Sequence, residues 1–283
     1  MNGKFRLLAL SALASLALAQ TPTLVATVFT TTLGETNVKT PEVSTQELRQ
    51  ILADGSALVL DTRPHLEWAT SHIPGALNVA RKPGVSDSQY VSDVREIERL
   101  VAGDRGRALV LYCNGPLCGK SKRLSEELLA AGFTNVRRYQ LGAPTWRALG
   151  GVMVTEADGA RYIAGGDRTA WWVDARSEED FRAGSLNGAH HIPLADVAKA
   201  KDNGGLPMED HNTRLIVFGQ DGGQARAVAE EIARNAFHNV SFFPGSLNDL
   251  RAATVGSPSS TPGPVRDRFP VLAFSGRIPH PEP

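Results

Sequence analysis

Residues 58–80 read LVLDTRPHLEWATSHIPGALNVA, and residues 171–193 read WWVDARSEEDFRAGSLNGAHHIP. In each segment an apolar run ends in Asp-x-Arg, an acidic and an aromatic residue follow, and a Gly-Ala pair comes later. The matched positions are Asp61 and Asp174, Arg63 and Arg176, Glu67 and Asp180, Trp68 and Phe181, and Gly75-Ala76 and Gly188-Ala189. Ordered agreement of this kind indicates that the chain contains two copies of one structural unit.

A second pair of segments repeats in the same order. Residues 109–139 read LVLYCNGPLCGKSKRLSEELLAAGFTNVRRY, and residues 215–243 read LIVFGQDGGQARAVAEEIARNAFHNVSFF. Each begins with a short apolar run and continues through a glycine-containing loop into a helical pattern and a further strand. In the first of them Leu124, Leu128 and Leu129 form an apolar helix face, and Gly132 follows where helix ends favour positive φ.

This alternation of strands and helices predicts an α/β fold with two tandem domains, each a mainly parallel sheet flanked by helices. We place the first repeat at 43–151 and the second repeat at 161–253, with a linker at 152–160. Within the first repeat a helix is expected over 88–101, because apolar residues recur there at helical spacing. The tail, 255–283, is rich in Pro, Ser and Gly and predicts an extended segment, in which FPVLAF is a candidate edge strand.

The N-terminus has the pattern of a cleavable signal peptide over residues 1–19. Lys4 and Arg6 precede a short apolar run, and Ala17-Leu18-Ala19 forms a small-residue cleavage site before Gln20. The run is short for a membrane span, and no other stretch of the sequence is long and apolar enough. We therefore expect a periplasmic or secreted protein with no membrane span after signal removal; an uncleaved anchor is the alternative.

The charges of the chain are balanced, with 30 basic and 30 acidic residues and no block of like charge. This balance argues against nucleic acid and against an anionic membrane surface as partners. The sequence also carries no dinucleotide fingerprint and no phosphate-binding glycine loop, so we expect no cofactor.

Both cysteines of the chain lie in YCNGPLCGKS, residues 112–121. Two cysteines exclude a framework of several disulfides. A metal site is not expected, because there is no C-x-x-C pair and the nearest histidine, His72, is far away in the sequence. Cys113 and Cys118 thus form a disulfide, a redox couple, or a nucleophile with a neighbour, and their spacing leaves these alternatives open.

With these segments the chain resembles the rhodanese-like family of sulfurtransferases, in tandem. The resemblance rests on residues 58–79, on the strand that ends in Cys113 before a glycine loop and Ser121, and on YQLGAPTWRALGG at 139–151. It implies that Cys113 is a nucleophile, which takes the outer sulfur of a small anionic donor such as thiosulfate as a persulfide. A thiol acceptor, or cyanide, would then remove that sulfur.

Elementary electrostatics supports this role for the first repeat. The strand brings Cys113 to the carboxyl edge of a parallel sheet, where α/β proteins place their ligand crevices. The helix that follows directs its N–H groups and dipole toward the loop, which favours a thiolate and a bound anion. The predicted anion-binding loop consists of Asn114, Gly115, Pro116, Leu117, Gly119, Lys120 and Ser121.

Other side chains are expected to support this loop. Gly115 and Gly119 would let the backbone bend around the sulfur, and Lys120, Lys122 and Arg123 would attract an anionic donor. Four further residues complete the prediction. Asp61 and Arg63 would hold the rim of the loop by pairing rather than by touching the substrate, Trp146 would pack beneath it, and His72 would serve packing rather than catalysis.

The second repeat lacks a nucleophile. Gly219 stands where the first repeat has Cys113, and Ala225 stands where it has Ser121. We predict that the second repeat is catalytically inactive and provides a covering or docking surface, or an anion-binding loop. Tandem members of the family usually carry the cysteine in the second copy, so the order is reversed here.

The cysteine loop is also longer than its counterpart. Eight positions separate Cys113 from Ser121, against six in the matching span of the second repeat. The longer loop is similar to that of the phosphatase and arsenate-reductase relatives, but those place an arginine at the helix start, where this chain has Gly119 and Lys120. Phosphatase or arsenate chemistry is therefore a minor alternative.

Three functions follow from these observations. The leading one is an exported sulfurtransferase that is active in its first repeat. The second is a thiol–disulfide redox protein that uses Cys113 and Cys118 as a pair. The third is a non-catalytic envelope binding module whose cysteines close a loop. In the first two, Cys118 serves as a resolving thiol or as an alternative nucleophile.

Overall fold

The structure is a computed structural model that describes residues 26–82, 84–90 and 92–255 of the 283-residue chain. The predicted signal peptide and the FPVLAF segment lie outside the described residues. The described residues form two compact units. Among the described residues, the first unit comprises 26–63, 75–82, 84–85, 90 and 92–146, and the second unit comprises 64–74, 86–89 and 147–255.

A four-stranded parallel sheet organises the first unit. Its elements are α1 (Val28–Thr31), α2 (Thr45–Asp54), β1 (Leu58–Asp61), β2 (Leu77–Asn78), α4 (Val94–Leu100), β3 (Leu109–Tyr112), α5 (Gly119–Ala130), β4 (Val136–Tyr139) and the start of α6 (Gly142–Ala148). The strand order is β2-β1-β3-β4. An isolated parallel bridge from Glu42 to Arg138 adds one further pairing beside β4.

A five-stranded parallel sheet organises the second unit. Its elements are α3 (His65–Thr70), β5 (Met153–Val154), α7 (Ala157–Gly166), β6 (Trp171–Asp174), α8 (Glu178–Ala183), β7 (His190–His191), a 3₁₀ turn (Leu194–Asp196), α9 (Val197–Ala200), β8 (Leu215–Gly219), α10 (Gly222–Arg234), β9 (Val240–Ser246) and α11 (Leu247–Val255). The strand order is β5-β9-β8-β6-β7.

The strand registers match between the two sheets. Leu111 of β3 lies opposite Arg138 of β4, and Val217 of β8 lies opposite Phe242 of β9, at the corresponding positions of the repeat. The order β1-β3-β4 in one sheet equals β6-β8-β9 in the other. The predicted α/β fold, with two tandem domains built on parallel sheets, is confirmed.

Each sheet is covered by its predicted helix. Leu124 and Leu128 of α5 are fully buried against Leu109 and Leu111, and Gly132 adopts a φ of +88° just after the helix. In the second unit, α10 contributes a similar apolar face, made of Ala225, Val228, Ala229 and Ile232, to the core. The amphipathic patterns in the two matched segments therefore correspond to the observed packing.

The compact units do not follow the repeat boundaries. Residues 64–74 and 86–89 belong to the first repeat in sequence but to the second unit in structure. The backbone of His72 exchanges two hydrogen bonds with that of Val154 on edge strand β5, at 3.0 and 2.8 Å. Backbone pairing leaves no trace in hydrophobic periodicity, so the sequence pattern does not reveal this exchange.

Two expectations about local structure are wrong. The helix predicted over 88–101 begins at Val94, because the Asp93 side chain accepts a hydrogen bond from the Glu96 N–H at 3.0 Å and caps it there. Val91 lies outside the described residues. The segment 152–160, predicted as a linker, contains β5 and the start of α7, because its apolar run pairs with β9.

A buried ion pair closes the carboxyl end of β1. Asp61 is fully buried and accepts hydrogen bonds from the Arg63 guanidinium at 2.5 to 3.0 Å and from the Arg63 backbone N–H at 2.9 Å. The Tyr112 hydroxyl, at the end of β3, donates to the same carboxylate at 2.6 Å. Asp61 therefore joins the ends of two adjacent strands immediately before Cys113.

We predict that Asp61→Ala lowers the free energy of unfolding of the first unit by about 3–5 kcal/mol, because it breaks a buried pair. Hydrogen–deuterium exchange resolved by segment checks this, with loss of protection in β1 and β3. Asp174→Ala is the matched control, since Asp174 pairs with Arg176 in the second unit, and it should affect β6 and β8 instead. Unchanged protection in β1 and β3 of the first variant would contradict the prediction.

Candidate active site

Cys113 and Cys118 lie at the two ends of one loop. Cys113 directly follows β3, and Cys118 is the N-cap residue of α5. Their Cα atoms are 6.2 Å apart and a disulfide joins their side chains. The loop thus begins at the carboxyl edge of a central parallel strand and leads into a helix N-terminus, as the sequence predicts.

The two sulfur-bearing residues differ in exposure. Cys113 is 1% exposed, whereas Cys118 is half-buried. Thiol–disulfide exchange requires a thiolate to reach one sulfur of the bond. In the disulfide form, an external thiol therefore approaches Cys118 more readily, and Cys113 is the group that leaves.

The loop between the cysteines is held by backbone contacts. The Cys118 N–H donates to the Gly115 carbonyl at 3.0 Å, and the Gln140 side-chain amide donates to the Pro116 carbonyl at 2.9 Å. Gly115 has a φ of +108°, which favours glycine. At the tip, Leu117 is 89% exposed, so this apolar side chain is open to a molecule that approaches the loop.

Gly119 does not play the role expected of it. Gly119 is the first residue of α5, and a Cβ built there would meet nothing within 4 Å. Its φ lies outside the left-handed region. The tight bend of the loop is made at Gly115, so a glycine at position 119 is not a steric requirement.

Gly142 is a structural requirement of the site that the sequence patterns above do not identify as a site residue. It has a φ of +67°, and a Cβ there would lie 2.4 Å from both the Cys113 carbonyl oxygen and the Gly115 nitrogen. The next residue, Ala143, donates its N–H to the Cys113 carbonyl at 3.0 Å. The glycine in YQLGAPTW is the signal in the sequence, because a glycine in the turn between a strand and a helix often permits a positive φ and a close backbone approach.

The basic residues beside the loop are largely engaged with other groups. Lys122 pairs with Glu35 at 2.8 Å. Arg123 lies 5.0 Å from the centre of the Tyr90 ring and 3.5 Å from a Glu127 oxygen. The positive charge that the sequence places around the loop is thus partly compensated by neighbours.

Tyr90 contacts the first turn of α5. Its hydroxyl donates to the Lys120 carbonyl at 3.4 Å, and the Lys120 ammonium lies 5.9 Å from its ring centre. Burial raises the pKa of the Tyr90 hydroxyl, while the neighbouring Arg123 opposes that rise. Tyr90 therefore stays neutral at physiological pH and can fix the two basic side chains by ring contacts.

Three of the remaining predicted residues, Trp146, Ser121 and His72, are buried, and they lie on different segments of the chain. Trp146 is buried on α6, with the Arg49 guanidinium 5.6 Å from its ring centre. Ser121 is buried in the first turn of α5. The His72 ring stacks on Trp68 at 4.3 Å between centres and contacts the Trp68 carbonyl at 3.1 Å, within the second unit.

The equivalent loop of the second repeat is closed by its own side chains. Asp221 caps α10 by accepting from the Gln224 N–H at 2.8 Å, and the Gln224 side-chain oxygen accepts from the Gln220 N–H at 2.9 Å. A Cβ at Gly219 would lie 2.7 Å from that Gln224 oxygen. A cavity of about 310 Å³ adjoins the loop, lined among others by Arg176, Gly219 and Arg251.

Among residues 26–82, 84–90 and 92–255, no group of three His, Cys, Asp or Glu side chains is arranged to hold a metal ion. Within these same ranges, no helix has the length and apolar character needed to cross a bilayer.

Comparison with known proteins identifies the family. A family model described as Rhodanese-like domain matches residues 44–149 and 158–253. The chain therefore belongs to the rhodanese-like family, and the resemblance seen in its sequence is confirmed.

Individual relatives match parts of the chain. Human Thiosulfate:glutathione sulfurtransferase is 29% identical over 116 residues, which cover 38% of this chain and 92% of the human protein. An HTH-type transcriptional regulator of Mycobacterium tuberculosis is 29% identical over 108 residues, and the chain spans 42% of its length and matches over 38% of its own. The crystal structure of Thiosulfate sulfurtransferase from Pseudomonas aeruginosa is 22% identical with a TM-score of 0.31, covering 75% of this chain and 44% of that one.

We predict that Gly142→Ala distorts the cysteine loop, because its methyl group would occupy the space of the Cys113 carbonyl. The free energy of unfolding should fall by about 2 kcal/mol or more, measured by chemical denaturation. Gly119→Ala is the matched control, since position 119 has open space and helical backbone; it should change stability by less than about 1 kcal/mol. Equal effects of the two variants would refute the steric argument.

Proposed function

We propose that this chain is an exported sulfurtransferase that moves a sulfane sulfur from a small thiosulfate-like anion to a thiol, or to cyanide, through a persulfide on Cys113. The observation that carries the proposal is the position of Cys113, directly after central strand β3 and before the N-terminus of α5, in a chain of the rhodanese-like family. The match to most of the length of a Thiosulfate:glutathione sulfurtransferase supports this class of donor and acceptor.

The first half-reaction begins with reduced Cys113. Its thiolate attacks the outer sulfur of the donor, the sulfur–sulfur bond of the donor breaks, and sulfite leaves with the bonding electron pair. The product is a Cys113 persulfide. The helix N-terminus and the N–H groups of the loop favour both the thiolate and the persulfide anion.

The second half-reaction removes the outer sulfur from the Cys113 persulfide. The thiolate of an acceptor attacks the outer persulfide sulfur, the bond to the Cys113 sulfur breaks, and Cys113 leaves as a thiolate. Alternatively, the Cys118 thiolate attacks the Cys113 sulfur and expels hydrosulfide, which restores the disulfide. The second route makes Cys118 a resolving thiol.

The disulfide between Cys113 and Cys118 requires a reductive step before sulfur transfer. An external thiolate attacks the half-buried Cys118 and releases the Cys113 thiolate, and a second thiol then frees Cys118. An exported location is consistent with activation by reduction of this disulfide, since disulfides persist in oxidising compartments. Support for export comes from the signal-peptide pattern of residues 1–19.

A thiol–disulfide redox protein is the second candidate function. The specific observation in its favour is that the two cysteines of the chain are paired with each other. In that case the disulfide itself would be the reactant, and a substrate dithiol would be oxidised as Cys113 and Cys118 are reduced. Both cysteines would then be essential.

We expect that Cys113→Ser abolishes thiosulfate:cyanide sulfurtransferase activity, whereas Cys118→Ser retains it and no longer needs a reductant for activation. Thiocyanate formation with and without mild reductant measures both effects. Mass spectrometry of Cys118→Ser after exposure to thiosulfate should show the added mass of one sulfur atom.

The contrary outcomes separate the two candidates. If both variants lose all activity and the wild type instead oxidises dithiol substrates, the redox protein is favoured. A wild type that forms no thiocyanate under reducing conditions, and gains no sulfur, would overturn the sulfurtransferase proposal. Folding of each variant is checked by circular dichroism.

A further inference from the structure

A cleft of about 200 Å³ lies in the first unit on the Cys118 side of the loop. Its lining includes Glu35, Pro116, Cys118, Lys122, Arg138 and Gln140. The lining does not include Cys113. Of the two disulfide-bonded cysteines, Cys118 therefore borders the cleft.

Arg138 brings a deeply buried positive charge to this cleft. The residue is 2% exposed, and its Nε and Nη2 atoms are buried without a hydrogen-bond partner among the described residues. The Phe29 ring lies 5.2 Å from the guanidinium carbon. Burial lowers the pKa of Arg138 to about 10, which leaves the group charged at neutral pH.

The second repeat shows that the fold does not require this charge. Phe242 occupies the position of Arg138, opposite Val217 as Arg138 is opposite Leu111, and it is packed in the apolar core. Burying a guanidinium with unsatisfied nitrogens lowers the free energy of unfolding, whereas a phenylalanine at the same position would raise it. We therefore infer that the arginine at this position serves to bind a ligand.

The carboxylates near Arg138 have closer partners of their own. Glu35, Glu42 and Glu126 all act on Arg138 through space. Each contacts another group directly: Glu35 pairs with Lys122 at 2.8 Å, Glu42 accepts from the Val28 N–H at 3.0 Å, and Glu126 lies 3.9 Å from the Lys39 ammonium. No ion pair to Arg138 is found among the described residues.

Further groups at the cleft suit an anion. The N-terminus of the twelve-residue helix α5 borders it through Cys118 and Gly119, and the Cys118 side chain does not cap it. Helix N-termini bind oxoanions through free N–H groups and the dipole. The Gln140 amide donates to the Pro116 carbonyl, which ties the cleft to the cysteine loop.

We propose that this cleft binds a small sulfur oxoanion between the Arg138 guanidinium and the N-terminus of α5, beside Cys118. Arginine forms charge-assisted, often paired, hydrogen bonds to such oxygens. The choice of a sulfur oxoanion rests on the proposed function, in which thiosulfate is a reactant and sulfite a product. The existence of an anion site does not depend on that function and rests on Arg138 together with the uncapped N-terminus of α5.

The test measures binding to the oxidised full-length protein, whose disulfide excludes sulfur transfer. Isothermal titration calorimetry with sulfate and thiosulfate should show binding to the wild type, and Arg138→Phe should weaken it about tenfold or more. Arg137→Gln is the matched control: Arg137 points to the opposite face of β4 and pairs with Glu47. Its affinity should stay within about twofold of the wild type, since it keeps the charge of Arg138.

The variants also report on folding. Arg138→Phe should fold with an equal or higher melting temperature, because Phe242 already fills the equivalent position, and Arg138→Lys should recover part of the affinity. Equal affinity of the wild type and Arg138→Phe, or an equal loss in Arg137→Gln, would overturn the site. Acetate is titrated in the same way, and tighter binding of acetate than of sulfate would overturn the choice of a sulfur oxoanion. Sulfate binding in a protein without sulfurtransferase activity would support the site while refuting the proposed function.

Discussion

The fully buried Asp61 carboxylate is the contact on which the geometry of the site depends. It receives the Arg63 guanidinium and the Tyr112 hydroxyl, and so fastens the end of β1 to the end of β3 one residue before Cys113. A buried charge is tolerable because its hydrogen bonds are satisfied. With both strand ends fixed, the direction in which the cysteine loop leaves the sheet is fixed as well.

The second unit has the same ion pair at the end of its strand but a different loop after the neighbouring strand. Asp174 pairs with Arg176, and the Ser185 hydroxyl donates to Asp174 at 2.6 Å, in place of the tyrosine. The loop after β8 is nevertheless shorter and is closed by Gln224 rather than by a disulfide. The same Asp–Arg pair at a strand end thus supports either a cysteine-bearing loop or a loop closed by its own side chains, and the loop residues determine which one forms.

Much of this organisation could be predicted from sequence, because repetition and periodicity record burial. The Asp-x-Arg positions, the apolar face of α5 and the placement of Cys113 after a strand all follow from such patterns. The exchange of residues 64–74 into the second unit, and edge strand β5, depend on backbone pairing, which imposes little on side chains. The need for Gly142 is likewise a matter of distance between backbone atoms that are remote in sequence.

Arg138 shows a different limit of sequence reasoning. Its place in VRRY favours a strand but does not distinguish the half-buried Arg137 from the buried Arg138, because the two differ only in the face of β4 that they occupy. The comparison with Phe242 supplies the missing information, since the two repeats share one register. Where one copy of a fold packs an apolar ring and the other buries a guanidinium whose nitrogens lack hydrogen-bond partners, the difference is best explained by binding rather than by folding, because folding alone favours the ring.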